Sequence, residues 1–296
     1  MSLFHGLSAF PITPTDAQGR IIKDELEMLL ERLATAQVNS IGLLGSTGGY
    51  AYLSTGERNR AVSTAVDHIN GRVPIIASVG ALRTDEAVGL AQVAEKAGAD
   101  GLLLAPVSYT PLTDDEVYQH FLAVACATSL PLCIYNNPST THFTFSIELL
   151  QRLAQVETIA AVKMPLPPQM AFSTELATLR KALALDFSIG YSGDWGCAAA
   201  LLAGADGWFS VIGGLLPGPS MQLTKAAQEG DQKEVDRING LFQPLWNLFQ
   251  EFGSLRVVYA AANLLQLTSA QPHLPVQALK PEDVERVKLA VEALDI

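Results

Sequence analysis

The sequence predicts an α/β protein, a (β/α)8 barrel with a C-terminal helical extension, on three observations. Short apolar runs alternate with amphipathic segments of helix length up to about residue 215. The eight apolar runs are continuous rather than strictly alternating, as expected for parallel strands covered on both faces. From residue 217 to residue 296 the pattern predicts helices alone. Eight strands separated by helices favour a closed barrel, and an open doubly wound sheet is the alternative.

The eight predicted strands are apolar runs bounded by turn residues. They cover Leu7–Ile12, Ile41–Leu44, Ile75–Val79, Gly101–Ala105, Leu132–Tyr135, Ile159–Lys163, Phe187–Tyr191 and Gly207–Ile212. Two helix starts carry the pattern of a capping box, from Ser54 to Glu57 and from Thr113 to Glu116.

A segment that occurs twice supports this succession of elements. The segment "AGADG" occurs at 97–101 and again at 203–207, each time between a predicted helix and a predicted strand. Gly98 and Gly204 suit the left-handed residue that ends a helix, and Gly101 and Gly207 open the next strand.

The domain organisation follows from the change of pattern. Residues 1–215 are predicted to form the barrel and to carry the active site, and residues 216–296 to form a helical region packed on the barrel. Helical patterns lie around 219–228, 232–251, 255–267 and 281–293, with a loop over 268–283.

Charge and apolar patterning exclude two classes of partner. The 19 basic and 30 acidic residues give a net charge of −11. Nucleic acids and anionic membranes select for basic patches, so neither is expected. No apolar stretch approaches the roughly 18 residues of a membrane helix, and "MSLFHGLSAF" lacks the pattern of a signal peptide. We therefore expect a cytoplasmic protein.

Cysteine and histidine usage predicts neither disulfides nor a bound metal. Cys126, Cys133 and Cys197 are odd in number and lack C-x-x-C spacing, which predicts buried free thiols in a reducing compartment. The five histidines are scattered, without the spacing of a zinc site. No cofactor is expected.

In a barrel of this kind the catalytic residues gather where the strands end. Those ends carry Thr13, "GSTGGY" (45–50), "APVSYTP" (105–111), "YNNPST" (135–140), Lys163, "YSGDWG" (191–196) and "SVIGG" (210–214). Lys163 stands out because the other seven lysines lie in predicted helix faces or helix ends.

Lys163 closes an apolar strand just before Pro165, and two interpretations compete. In the structural one, the lysine extends out of the barrel mouth or pairs with a carboxylate. In the functional one, it is a nucleophile that forms a Schiff base. An amine attacks a carbonyl only when neutral, and burial disfavours the ammonium form that predominates in water.

Two other strand ends supply what such a lysine needs. Ser46, Thr47 and the backbone N–H groups of "GSTGG" would suit a substrate carboxylate, although the segment also fits an ordinary glycine-rich turn. The phenol of Tyr135 would relay protons, or would simply pack in the core. One reaction uses all three features, which favours the functional interpretation.

Three motifs resemble those of the dihydrodipicolinate synthase/N-acetylneuraminate lyase family. They are G-S-T-G after the second strand, Y-N-x-P after the fifth and V-K at the sixth. The likeness covers the whole chain, including "FPITP" near the start and "YQHF" (118–121). It implies a barrel, commonly a homotetramer, that condenses or cleaves pyruvate and related 2-oxo acids through a lysine imine without metal or cofactor.

The resemblance also implies residue roles. Lys163 is similar to the imine-forming lysine, and Tyr135 to the proton-relaying tyrosine. Tyr109 resembles a tyrosine that reaches across a subunit interface in the synthases. The implied substrate-binding residues are Ser46, Thr47, Gly48, Thr140 and Ile212, and the Ser-Thr order is that of the neuraminate lyase branch.

Three positions depart from the family pattern. Gly49 stands where G-x-x-G-E has glutamate, and Tyr50 follows it. Thr140 stands where synthases carry an arginine that holds the carboxylate of the second substrate. Met164 follows the lysine, where many members have an acidic or amide residue. The pyruvate half of the site therefore matches the family, and the half that selects the second substrate does not.

The leading hypothesis is a Schiff-base aldolase or lyase that joins pyruvate to an aldehyde or releases it from a 2-keto-3-deoxy acid. The alternatives within the family are a genuine dihydrodipicolinate synthase and a 2-keto-3-deoxy acid dehydratase using the same imine. More distant alternatives are a metal- or flavin-dependent barrel, with Asp194 as a ligand or Gly213-Gly214 at a phosphate, and a non-catalytic binding protein. Asp194 precedes a helical segment and is predicted to be its N-cap.

Overall fold

The computed structural model describes residues 3–294, and eight parallel strands in it close into a barrel. The strands are β1 (Gly6–Ala9), β2 (Ser40–Leu43), β3 (Ile75–Ser78), β4 (Gly101–Leu104), β5 (Leu132–Tyr135), β6 (Ile159–Met164), β7 (Ser188–Tyr191) and β8 (Gly207–Ser210). Each strand pairs with its neighbours in chain order, and β1 closes on β8 from Gly6↔Gly207 to Ala9↔Ser210. The predicted barrel is confirmed, and the open sheet is excluded.

Helices separate the strands and follow the last one. They are α1 (Lys23–Thr35), α2 (Thr55–Ile69), α3 (Thr84–Ala97), α4 (Asp114–Ala125), α5 (Pro138–Thr141), α6 (Ile147–Leu153), α7 (Phe172–Ala182), α8 (Asp194–Leu202), α9 (Pro217–Glu229), α10 (Gln232–Phe252), α11 (Ser254–Leu264) and α12 (Pro281–Glu292). Short 3-10 turns cover Tyr50–Tyr52, Pro168–Met170 and Ile212–Gly214. No helix within residues 3–294 is long and apolar enough to cross a membrane.

The two predicted capping boxes differ. Thr113 and Glu116 form a complete box at the start of α4. Ser54 accepts a hydrogen bond from the Glu57 N–H, but the Glu57 carboxylate accepts one from the Ile21 N–H at 2.7 Å. Glu57 therefore ties α2 to the segment before α1 instead of closing its own box.

The barrel has an inner and an outer apolar layer. Ile76, Leu103, Cys133, Ala161 and Phe209 belong to a cluster inside the strands, and alternate residues such as Val162 belong to the larger cluster beneath the helices. Side chains alternate between the two faces of a strand. Consequently Tyr135, two residues beyond Cys133, and Lys163, two residues beyond Ala161, face the barrel interior.

The C-terminal helices form one side of the barrel mouth. The Tyr259 hydroxyl on α11 donates to the Thr13 carbonyl at 3.5 Å, and Arg286 on α12 pairs with Glu251 on α10. Phe249 and Leu255 reach the cavity at the strand ends. The helical region thus contributes to the site, and the domain boundary at residue 215 stays a prediction.

Candidate active site

A cavity of about 780 Å³ opens at the C-terminal ends of the strands. Its volume is in the range of small-molecule sites. The lining includes five of the predicted site residues, namely Ser46, Thr47, Tyr135, Thr140 and Lys163. Its charged lining residues within the described chain are Lys163 and Asp194.

Lys163 is buried in the cavity floor, with 4% of its surface exposed. Its Nζ lies 4.0 Å from the ring centroid of Tyr135, 4.3 Å from that of Phe10 and 5.7 Å from that of Phe209. No ion pair formed by residues 3–294 includes Lys163. Aromatic faces attract a cation more weakly than a carboxylate does. The structure therefore contradicts both forms of the structural interpretation, a lysine extended into solvent and a lysine paired with a carboxylate.

Glycines make room for the two phenylalanine rings beside the lysine. A Cβ atom at Gly42 on β2 would lie 2.2 Å from the Phe10 ring, and one at Gly190 on β7 would lie 2.5 Å from the Phe209 ring. Both distances are far below van der Waals contact. β2 and β7 thus leave space for the two rings beside the Lys163 amine.

Tyr135 has a hydrogen-bonded phenol. Its hydroxyl accepts a hydrogen bond from Asn137 Nδ2 at 2.9 Å and shares one of 3.3 Å with Ser46 Oγ. The Asn137 Oδ1 in turn accepts from Ser139 Oγ at 2.7 Å, which fixes the orientation of the amide. Because Asn137 is a donor to the phenol oxygen, the phenol proton remains available for transfer.

The segment after β2 brings Ser46 and Thr47 to the cavity. Leu44 and Gly49 on either side have φ values of 58° and 69°, so the chain turns sharply at both ends. Gly48 does not line the cavity, and a Cβ atom there would lie 3.1 Å from the backbone of Leu44. The lack of a side chain at Gly48 therefore permits the close packing of the turn, and its role in substrate binding stays a prediction.

Besides Gly48, two predicted site residues, Tyr109 and Ile212, are not part of the cavity lining. Tyr109 is 98% exposed on the loop between β4 and α4, and Val107 lines the cavity instead. The Ile212 side chain is fully buried in the outer layer, because β8 ends at Ser210 and the chain enters a 3-10 turn. The predicted end of the eighth strand at Ile212 is wrong, whereas the role of Ile212 in substrate binding stays a prediction; Phe209 and Val211 line this part of the cavity.

The predicted N-cap role of Asp194 is also wrong. Gly193 is the N-cap of α8, and the buried Asp194 carboxylate accepts from Trp208 Nε1 and the Ile212 N–H, each at 2.8 Å, and from the Val211 N–H at 3.3 Å. Burial raises the pKa of Asp194, and the hydrogen bonds act in the opposite direction. The side chain ties the start of α8 to the end of β8.

Gly213 and Gly214 do not form a phosphate cradle. A Cβ atom at Gly214 would lie 2.3 Å from the Phe10 carbonyl, and the Gly213 N–H donates to Ser210 Oγ at 2.8 Å. These glycines let two stretches of the chain's own backbone approach each other. Residues 3–294 contain no group of three or more His, Cys, Asp or Glu side chains that could hold a metal ion.

The two buried thiols are poor nucleophiles compared with an exposed cysteine. Burial raises the pKa of Cys133, on β5, and that of Cys197, on α8. The thiolate is the reactive form, so both stay unreactive at neutral pH. Cys126 is exposed at the end of α4, contrary to the prediction that all three cysteines are buried.

The solvent-accessible part of the described cavity lining, which we call the outer half, is neutral, because Asp194 is buried and its carboxylate is hydrogen-bonded to β8 and the turn after it. Ser139, Thr140, Ser192 and Ser254 bring hydroxyl groups, and Trp195 brings an indole ring. Thr140 is exposed, and its Oγ1 donates to the Asn137 carbonyl at 3.3 Å. A substrate in this half meets hydroxyls and apolar surface rather than a cation.

Among the lining residues that sequence reasoning missed are Phe10, Tyr50, Asn137 and Phe209. Tyr50 and Asn137 lie inside the strand-end segments "GSTGGY" and "YNNPST", so their positions in the sequence indicated that they could reach the site. For the two phenylalanines no such signal exists, because which aromatic residues of a strand meet across a barrel depends on its register.

The fold and the cavity define a class, a (β/α)8-barrel enzyme with a buried lysine at the end of its sixth strand. The model of the dihydrodipicolinate synthetase family matches residues 3–294. The 4-hydroxy-tetrahydrodipicolinate synthase of Pseudomonas aeruginosa is 33% identical over 282 residues, covering 95% of this chain and 94% of that protein.

Solved structures agree with this match. The crystal structure of dihydrodipicolinate synthase from Agrobacterium tumefaciens is 58% identical, with a TM-score of 0.98 over 99% of this chain and 98% of that one. The chloride-inhibited synthase from Acinetobacter baumannii, solved with pyruvate, is 27% identical, with a TM-score of 0.91 over 100% of both chains. The chain belongs to the dihydrodipicolinate synthetase family, and it is an enzyme of the lyase class.

Proposed function

We propose that this enzyme is a Schiff-base aldolase or lyase that condenses pyruvate with an aldehyde, or releases pyruvate from a 2-keto-3-deoxy acid. The observation that carries the proposal is the placement of Lys163. It is buried beside the phenol of Tyr135, and no carboxylate within residues 3–294 pairs with it. The pyruvate complex of the Acinetobacter relative supports the choice of 2-oxo acid.

In the proposed reaction, the neutral Lys163 amine attacks the C2 carbonyl of pyruvate. Ser46 and Thr47 bind the carboxylate, and Tyr135 protonates the carbinolamine oxygen, which leaves as water. The resulting iminium withdraws electrons from C3, so transfer of a C3 proton to the Tyr135 phenolate gives an enamine and restores the phenol. The enamine carbon then attacks an aldehyde, and hydrolysis of the imine releases the product.

The second substrate is proposed to be uncharged or hydroxylated at the end that enters the outer half of the cavity. No arginine lines the cavity in the described chain, and the position of the synthase arginine holds Thr140. An arginine fork binds a carboxylate through two charge-assisted hydrogen bonds, which one neutral hydroxyl cannot reproduce.

A genuine dihydrodipicolinate synthase is the second candidate, favoured by the names of the similar proteins. It requires that another group bind the carboxylate of aspartate semialdehyde in place of the missing arginine. A dehydratase that uses the same imine is a further variant.

We also propose a cytoplasmic homo-oligomer, a dimer or a tetramer. The 98% exposed ring of Tyr109 supports an interface, because the family resemblance places this tyrosine in a neighbouring subunit's site. The free cysteines are consistent with a reducing compartment. Sedimentation measures the oligomer directly.

The test is a product assay by NMR with enzyme dialysed exhaustively against EDTA. Pyruvate is offered with aspartate semialdehyde and, separately, with uncharged hydroxyaldehydes. We expect condensation with one or more of the uncharged aldehydes and little with aspartate semialdehyde. Efficient condensation with aspartate semialdehyde alone would support the synthase instead. Activity that is lost with EDTA and restored by metal would refute the metal-free mechanism.

A further inference from the structure

Tyr50 is a phenol of the cavity to which the proposed imine chemistry assigns no role. It follows Gly49 directly and lines the cavity together with Lys163 and Tyr135. A Cβ atom at Gly80, just beyond β3, would lie 3.5 Å from the Tyr50 hydroxyl oxygen and 3.3 Å from the Ala105 carbonyl that follows β4. The Tyr50 hydroxyl therefore lies at the ends of β3 and β4, inside the barrel mouth.

Arg58 places a cation behind this phenol. Its side chain is 4% exposed, and its Cζ lies 5.2 Å from the centroid of the Tyr50 ring. Nη2 donates to the Ser78 carbonyl at 3.1 Å, whereas Nε has no hydrogen-bond partner among the described residues. No ion pair of residues 3–294 includes Arg58. A buried cation without a paired carboxylate is costly, which calls for a functional reason.

We propose that Tyr50 is a second acid of the site, which donates its phenol proton to the alkoxide formed when the enamine adds to the aldehyde. The inference rests on the proposed function. The enamine electron pair forms the new carbon–carbon bond, and the carbonyl π pair moves to the aldehyde oxygen. The proton passes from Tyr50 to that oxygen, and Arg58 offsets the charge of the phenolate until solvent returns a proton.

The protonation state of Tyr50 suits a donor. Burial and the neighbouring Tyr135 raise the pKa of Tyr50 to about 12, and Arg58 acts in the opposite direction. The phenol is therefore neutral at pH 7, and an alkoxide is basic enough to take its proton. Burial lowers the pKa of Arg58, with Tyr50 and Glu86 opposing that shift.

Two phenols then serve two steps. The Lys163 amine lies over the Tyr135 ring, and the Tyr135 hydroxyl shares a hydrogen bond with Ser46, so Tyr135 serves imine formation. Tyr50 approaches from the ends of β3 and β4 and serves the aldehyde.

The experiment separates these steps in the Tyr50→Phe variant. Borohydride trapping with pyruvate reports the imine, and exchange of the pyruvate methyl protons in D2O reports the enamine. Turnover with the preferred aldehyde or keto-deoxy acid reports the final step. We expect Tyr50→Phe to keep trapping and exchange within about 2-fold and to lose about 10²–10⁴-fold in kcat for the aldehyde step. Tyr118→Phe on α4, whose ring packs on Arg152, is the matched control and should leave all three unchanged.

Arg58 supplies an independent test as a positioning residue. Arg58→Met should lower kcat for the aldehyde step with the pyruvate KM unchanged, and Arg58→Lys should restore much of the rate because it keeps the charge. Unchanged aldehyde turnover in Tyr50→Phe, or equal losses in trapping and turnover, would overturn the role of Tyr50 and leave the proposed function standing. Absence of any adduct in the wild-type enzyme would instead refute the proposed function itself.

Discussion

Tyr135 and Lys163 are register partners on neighbouring strands, and Lys163 Nζ lies 4.0 Å from the centroid of the Tyr135 ring. A bulge creates this pairing. Leu132 pairs with Ile159, but Cys133 pairs with Ala161, so Ala160 is an extra residue in β6. Without that insertion Tyr135 would pair with Val162, and its partner would face the helices.

Tyr135→Phe tests the proton relay directly. Removing the hydroxyl should lower kcat by about 10²–10⁴-fold, because general acid–base groups typically contribute that much. Steady-state kinetics measures the loss, and circular dichroism checks the fold. Tyr118→Phe serves as the control for removal of a phenol hydroxyl outside the cavity. A kcat within 2-fold of wild type would reduce Tyr135 to a packing residue.

Thr140→Arg tests the selection of the second substrate. Hydrogen bonds to charged groups contribute about 1.5–3 kcal/mol, so the new guanidinium should raise kcat/KM for aspartate semialdehyde by about 10–150-fold. Thr140→Gln is the matched control, because it lengthens the side chain without adding charge. A wild-type enzyme that already turns over aspartate semialdehyde efficiently, with no gain in Thr140→Arg, would contradict the proposal.

Gly49→Ala tests why glycine stands where the family has glutamate. Gly49 has a φ of 69°, and a Cβ atom there would lie 2.8 Å from Cδ2 of His273. Gly71→Ala is the matched control, since Gly71 has a φ of 74° and nothing within 4 Å. We expect about 1–2 kcal/mol of destabilisation from the left-handed backbone in both variants, and a further 1–3 kcal/mol, roughly, in Gly49→Ala alone. Urea unfolding measures both, and equal losses would show that His273 moves aside freely.

Asp194→Ala tests the tie between α8 and β8. The change leaves Trp208 Nε1 and the Val211 and Ile212 N–H groups without an acceptor, and each unpaired buried donor costs about 1–3 kcal/mol. We therefore expect a loss of several degrees or more in Tm, with a smaller loss in Asp194→Asn, which keeps one acceptor oxygen. A Tm unchanged in Asp194→Ala would mean that water replaces the carboxylate at no cost.

The barrel and the lysine were predictable from local patterns. Continuous apolar runs predict buried parallel strands, and a lysine that closes such a run is conspicuous; Lys163 and Tyr135 were found in this way. The strand bounds were less predictable at β1 and β8, because Val211 and Ile212 continue the apolar run after the chain has left the sheet. The predicted strand end at Ile212 is therefore wrong, whereas the role of Ile212 in the site stays a prediction.

Contacts between distant segments could not be predicted from patterns. The rings of Phe10 and Phe209 meet beside the lysine only through the register of the closed barrel. His273 lies against Gly49 although the two residues are more than two hundred positions apart in the sequence. The sequence alone therefore did not indicate what surrounds the position where the family has glutamate and this chain has Gly49. Likewise, the acceptor role of Asp194 depends on where β8 ends.

Reductive trapping tests the central claim most directly. The enzyme is incubated with pyruvate and borohydride, and its intact mass and its peptides are measured. The account predicts one pyruvyl-derived mass per chain, located on the peptide that contains Lys163. It further predicts that the adduct is absent in Lys163→Ala and unchanged in Lys96→Ala, a lysine in the last turn of α3. An adduct on another lysine, or none with any 2-oxo acid, would contradict the assignment of Lys163 as the nucleophile.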